Sequence, residues 1–253
     1  MAVESGIKGL SGNALKIIAA ITMLIDHIGV ILFPGVEALR IIGRISFPIF
    51  AYMIAEGCHY TKNKLRYFLS VFFLGAACQA VYSFYGGGKL LGILITFSVA
   101  IIVVYAMQYM KSVLLTQASP IIKALSVILF ALTVFAVYLL NEKLLIDYGF
   151  FGCMAPAFAS AFKIPRELKD KNGAAAPDRL FTAEHLLNVL MLGICLSFLI
   201  FTMSEIQAFA LLALPLLLLY SGKRGKVKMK YFFYIFYPLH LAALEGIAII
   251  LKH

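Results

Sequence analysis

The chain has 253 residues, of which 62% are hydrophobic and 13% charged, with a formal net charge of +10. Charge this sparse excludes an ordinary water-soluble domain and fits a polytopic membrane protein. The basic excess falls in short loops between apolar runs, so it bears on topology first, and a nucleic-acid partner is not expected.

Met1–Asn13 is mixed and mildly polar, without a basic start, a short apolar core and a small-residue cleavage site. No cleaved signal peptide is expected, and the first helix serves as its own insertion signal. That first apolar segment, 14–33, carries Asp26 and His27 side by side within "MLIDHIGVILF". A charge at the centre of a membrane helix costs roughly 2.5–3.5 kcal/mol on insertion scales, so the pair needs a reason. Neighbours on a helix point about 100° apart, which argues against a direct Asp26–His27 bond. Asp26 is expected to neutralise an arginine while His27 faces a cavity.

The second segment, 38–57, holds Arg44 and ends at Glu56, with His59 just beyond. The third, 67–85, holds Gln79, and segments 90–109 and 121–140 follow. Segment 148–162 is short and contains Pro156. The loop 163–182, "KIPRELKDKNGAAAPDRLFT", is basic, broken by Gly and Pro, and reads as a flexible hairpin. Segment 183–202 opens on Glu184 and His185, which read, like Glu56 and His59, as interface residues. Segment 206–220 is short and contains Pro215, and 232–251 holds His240 and Glu245. These segments predict one all-α domain over 1–253, an integral membrane helical bundle of about nine, or ten, transmembrane helices. Without Trp, the 13 Tyr and 21 Phe supply any interfacial belt. Cys58, Cys78, Cys153 and Cys195 lack CxxC spacing, so neither a disulfide framework nor a metal site is expected.

Assigning the nine segments alternately puts 16 Lys and Arg on one side and 4 on the other, Arg40, Lys89, Lys143 and Lys252, with Lys16 and Arg44 inside segments. By the positive-inside rule the N-terminus is cytoplasmic and the C-terminus external. At ~1.5 Å per residue, His27, Arg44, Gln79 and Glu245 each fall ~9–10 Å below the outer face, and His240 lies deeper, near the midplane. Intramembrane ionisable residues of this kind mark functional sites by default. The run "SGKRGKVKMKY" concentrates basic residues at the opposite face, as a lipid anchor or a seat for phosphates. No internal repeat is found, which weakens a transporter of the inverted-repeat type.

Four stretches, "LKIIAAITMLIDHIGVILFP", "RIIGRISFPIFAYMIAEGCHYTKNKLRYFL", "DYGFFGCMAP" and "YFFYIFYPLHL", resemble the TraX family, named for the F-pilin acetylase of conjugative plasmids. The resemblance is tight over the first 85 residues and in the DYG and FYPLH elements, and the middle of the chain, about 97–140, carries no shared motif. The family looks like a branch of the transmembrane acyltransferases, beside surface-polysaccharide O-acetylases and the lysosomal heparan glucosaminide acetylase. That resemblance implies an acetyl-CoA-dependent N- or O-acetyltransferase of the bacterial inner membrane, moving acetyl from cytoplasmic acetyl-CoA to an acceptor on the other side. It also implies an essential early-helix histidine, matched by His27, with help from a charged residue before "FP", matched by Arg44.

His27 is then the general base or a transient acyl carrier. Arg44 faces the oxyanion, and Asp26, His240 and Glu245 complete the catalytic candidates. Lys62, Lys64, Arg66, Lys223 and Arg224 are the candidate contacts for the CoA phosphates. Expected partners are the acyl-CoA donor, membrane lipids, an acceptor peptide, glycan or lipid, and a second copy of the chain as a homodimer. The competing reading is a proton-coupled transporter or flippase using Asp26, His27, Arg44 and His240 as a relay.

Overall fold

In the computed structural model, residues 9–84, 89–169, 180–227 and 229–252 are described, and all the elements among them are helical apart from two isolated bridges. In chain order they are α1 (Gly12–Ile31), α2 (Glu37–Gly43), α3 (Ser46–Tyr60), α4 (Lys64–Phe84), α5 (Ile93–Leu114) and α6 (Pro120–Lys143). Then come α7 (Gly149–Phe158), α8 (Arg166–Lys169), α9 (Ala183–Thr202), a 3₁₀ segment (Glu205–Leu212), α10 (Ala213–Leu218) and α11 (Lys230–Lys252). Side-chain caps set several starts. Ser11 accepts from the Ala14 amide, Ser119 from Ile122 with Pro120 at the first position, and Thr182 from His185.

Seven helical spans among the described residues are long and apolar enough to cross a membrane: α1, α2 with α3 as Glu37–Tyr60, α4, α5, α6, α9 and α11. The protein is a polytopic helical membrane protein. The other two apolar segments, 148–162 and 206–220, form short pieces, and tertiary contacts show that each still runs the length of the bundle. One end of the bundle, the turn end, carries the α1–α2 turn; the other, the basic end, carries 61–63. The chain before α7 pairs with the start of α5 at the turn end, through the Leu91–Ile146 bridge. After α7, the carbonyls of Ser160, Ala161 and Lys163 accept from Lys111 Nζ at the basic end. The 3₁₀ segment packs on α2, and the chain after α10 pairs with Leu10 ahead of α1. A 3₁₀ helix rises ~2.0 Å per residue, so 8 residues of it and the 6 of α10 reach ~25 Å.

Helices α1, α3, α5, α7 and α9 form the core, where Leu15, Ile49, Ala51, Ile101, Val104, Cys153, Leu192 and Leu196 are fully buried. α6 buries only Ser126 and Val137 and turns Leu125, Leu132 and Phe135 outward, as a lipid-facing helix does. The second span is broken at Arg44 and Ile45, between α2 and α3. Gly43 ends α2 against α1, where a Cβ would collide with the Asp26 carboxylate. Gly29 meets Leu39 in the same way at 2.8 Å. Small residues let these two backbones approach, and the approach positions the polar layer.

Candidate functional site

The polar residues of the turn end converge from four elements. Asp26 of α1 receives Arg44 Nη2 on Oδ1 at 2.5 Å and Arg40 Nη1 on Oδ2 at 3.1 Å. Arg44, whose side chain is 6% exposed, makes one hydrogen bond through each of its three side-chain nitrogens. Its Nε donates to the Arg40 carbonyl at 3.2 Å and Nη1 to the Tyr148 hydroxyl at 3.4 Å. Arg40 is more open, with 31% of its side chain exposed.

Tyr148 belongs to the DYG element and takes a left-handed conformation, φ 60°, immediately before Gly149 at φ 56°. A bulky residue there is a strained outlier held by its surroundings. Here the Phe47 ring stacks on it at 4.0 Å, and Arg44 holds its hydroxyl. Asp147 is fixed by its backbone, its amide donating to Leu91 and its carbonyl accepting from Thr96. Burial pushes the Asp147 carboxyl up to about 6, opposed by the Tyr148 amide and by Arg44.

Beside this carboxylate–arginine group lies a histidine pair. His27 Nδ1 and His240 Nε2 are 2.7 Å apart, with the rings edge to edge, their centroids 4.9 Å apart and their planes 20° from parallel. His240 Nδ1 lies 2.8 Å from the Phe236 carbonyl. A carbonyl only accepts, so His240 carries its proton on Nδ1 and its Nε2 is the acceptor. The shared hydrogen therefore sits on His27 Nδ1. In the neutral ring that leaves His27 Nε2 with a free lone pair. No hydrogen bond to that nitrogen is made among the described residues.

The basic end holds two further arrangements. A cleft of about 630 Å³ is lined by Cys58, His59, Thr61, Lys62, Asn63, Lys64, Gln108 and Arg166. Inside the bundle, Glu56 pairs with Lys163 and accepts from the Tyr220 hydroxyl at 3.1 Å, and the Tyr52 hydroxyl meets His185 Nδ1 at 2.8 Å. Lys163 Nζ lies 5.2 Å from the Tyr52 ring centroid.

The structure thus gathers Asp26, His27, Arg44 and His240 at one place and leaves Glu245 out, half-buried on α11 with no ion pair among the described residues. His240 shares the level of His27, although residue counting puts it deeper, because such counting assumes that all helices start at one depth and share one tilt. Gln79 belongs to the chain connection, bonding the Leu90 carbonyl and the Gly92 amide. Lys62 and Lys64 line the cleft. Arg66 lines a separate hollow with Leu69 and Phe73, and Lys223 and Arg224 lie against the start of α1. Two of the five basic candidates, Lys62 and Lys64, thus line the cleft itself. Glu56, His59 and His185 are buried at 5%, 6% and 2% exposure, correcting their reading as interface residues. Sequence reasoning missed Arg40, counted as a loop charge, and Asp147 and Tyr148, which the DYG element signalled.

A protein-family model described as TraX protein matches residues 11–248. A protein of Dichelobacter nodosus described as a probable fimbrial assembly protein, FimC of serogroup H1, is 26% identical over 248 residues, covering 92% of this chain and 94% of its own. An uncharacterised protein of Rickettsia prowazekii (strain Madrid E) is 44% identical over 54 residues, 21% of each chain. No solved structure matches this chain.

Proposed function

The chain belongs to the TraX family, and from that premise we propose that it is a membrane-embedded acetyltransferase, carrying acetyl from cytoplasmic acetyl-CoA to an amine or hydroxyl at the external face. The observation that carries this reading is the polarised histidine pair, which leaves a basic nitrogen on His27 inside an apolar bundle. As the acceptor nitrogen or oxygen attacks the thioester carbonyl, its proton passes to His27 Nε2. The tetrahedral intermediate then expels the CoA sulfur, which takes that proton. His240 holds the ring and its tautomer through Nδ1–H.

Arg44 is buried and directs each of its nitrogens to a protein partner, Asp26, Tyr148 and the Arg40 carbonyl. It is an anchor in this scheme. Arg40, with one N–H on Asp26 and others to spare, is the better placed cation for the oxyanion. The cleft with Lys62, Lys64 and Arg166 suits the CoA phosphates at the opposite end. The name of the Dichelobacter relative makes a fimbrial subunit the first acceptor to try.

The test is thioester turnover by purified protein with labelled acetyl-CoA. His27→Ala should lose turnover by a factor of at least ~10² while acetyl-CoA still stabilises it against heat. His240→Gln, whose amide oxygen accepts the same Nδ1–H, should retain more activity than His240→Ala. Wild-type turnover in His27→Ala would sink the scheme, and no thermal response to acetyl-CoA in the wild type would favour a transporter.

A further inference from the structure

Lys16 is the one Lys or Arg of α1, four residues past Gly12, hence ~6 Å along the helix. The side chain is half-buried, and its ammonium lies 6.0 Å from the Phe233 ring centroid on α11. The charge that acts on it is not an acid but Arg224, another cation. Their proximity is built in by backbone bonds. The Gly12 amide donates to the Lys223 carbonyl at 2.8 Å, and the Asn13 amide to the Arg224 carbonyl at 3.0 Å. Asn13 Nδ2 donates to Val227, and Gly225, at φ 97°, turns the loop tightly against Ser11 and Asn13. Among the described residues no carboxylate forms an ion pair with Lys16 or Arg224.

Lys16 is half-buried and Arg224, on the loop tied to the start of α1, is exposed. Two like charges held near one another repel, and an anion between them would offset that cost. Their place, at the start of a membrane span on the basic end and beside an aromatic ring, is the level of lipid headgroups. Neither residue lines the cleft that holds Lys62, Lys64 and Arg166.

We propose that Lys16 and Arg224, with Phe233 beneath, form a binding site for the phosphate of an anionic phospholipid headgroup, which ties α11 to α1. The site is independent of the acyltransferase reading, and its test uses no activity. Full-length protein is reconstituted in phosphatidylcholine nanodiscs and in discs containing phosphatidylglycerol, and its melting temperature is measured. The anionic lipid should raise Tm by about 2–4 °C in the wild type. The gain should vanish in the Lys16→Gln/Arg224→Gln double variant and persist in Lys16→Arg and in Lys62→Gln/Lys64→Gln. Arg224→Gln alone, on a loop, should lose most of it, which covers the case of a double variant that does not fold. A full lipid response in Arg224→Gln and in the double variant would overturn the site. So would an equal gain from acetyl-CoA or inorganic phosphate in phosphatidylcholine discs that Arg224→Gln removes, since the ligand would then be a soluble phosphate.

Discussion

Asp26 shows how one carboxylate organises the turn end. It takes a guanidinium on each oxygen, and one of these, from Arg44, is almost wholly buried. Removing one partner of a buried pair leaves an uncompensated charge, at a cost of ~3–5 kcal/mol. Arg40 remains on Asp26 when Arg44 is lost, so Arg44→Ala should fall at the lower end of that range. Asp26→Asn in the same background should recover part of the loss, because it removes the stranded charge. Heat denaturation of the purified variants in detergent measures both. No recovery in the double variant would mean that Arg44 matters through Tyr148 and its packing instead. The two histidines illustrate a different point: His27 is defined chemically by a bond that His240 makes to its own helix, a dependence that spans 213 positions of the chain.

At the scale of the element, the decisive device is the close contact of α1 with α2. A Cβ on Gly43 would occupy the space of the Asp26 side chain. Gly43→Ala should therefore push α2 outward, unseat both arginines and destabilise the protein by ~1–3 kcal/mol, as overpacking does. Gly35→Ala, in the turn between these helices with nothing within 4 Å of the added carbon, should be close to neutral. Melting temperatures of the two variants give the comparison, and equal values would contradict this account of the crossing. The break between α2 and α3 follows from the same packing. It lets Arg44 turn into the layer while Phe47, three residues on, stacks under Tyr148. The motif GR-x-x-FP thus encodes a contact, an anchor and a platform in one short stretch.

At the scale of the molecule, termini on opposite faces follow from seven crossings or from nine, so the loop 163–182 is the discriminating position. If α7 and the 3₁₀–α10 segment each cross, that loop shares a side with the loop at Gly225. Reporters inserted at Gly173, which lies outside the described residues, and at Gly225 should both read cytoplasmic, and one at Gly35 external. An external signal at Gly173 alone would reduce the count to seven; an external signal at Gly225 would reverse the orientation and the donor side.

Hydropathy and charge alone determined the class, the nine apolar segments and the prominence of Asp26, His27, Arg44, His240 and Glu245, because a bilayer penalises charge wherever it falls in the sequence. Only the tertiary structure decided which of these residues meet. Glu245 has the right chemistry and the counted depth, yet the packing of α11 brings His240 to His27 instead. Arg40 counted as a loop residue because its distance from the layer depends on how closely α1 and α2 approach, which Gly29 and Gly43 permit. The tautomer of His27 is likewise beyond any reading of its own helix. A penalty for burial is a property of one residue and its neighbours in sequence, whereas a hydrogen bond between helices depends on tilt, register and starting depth, which packing sets.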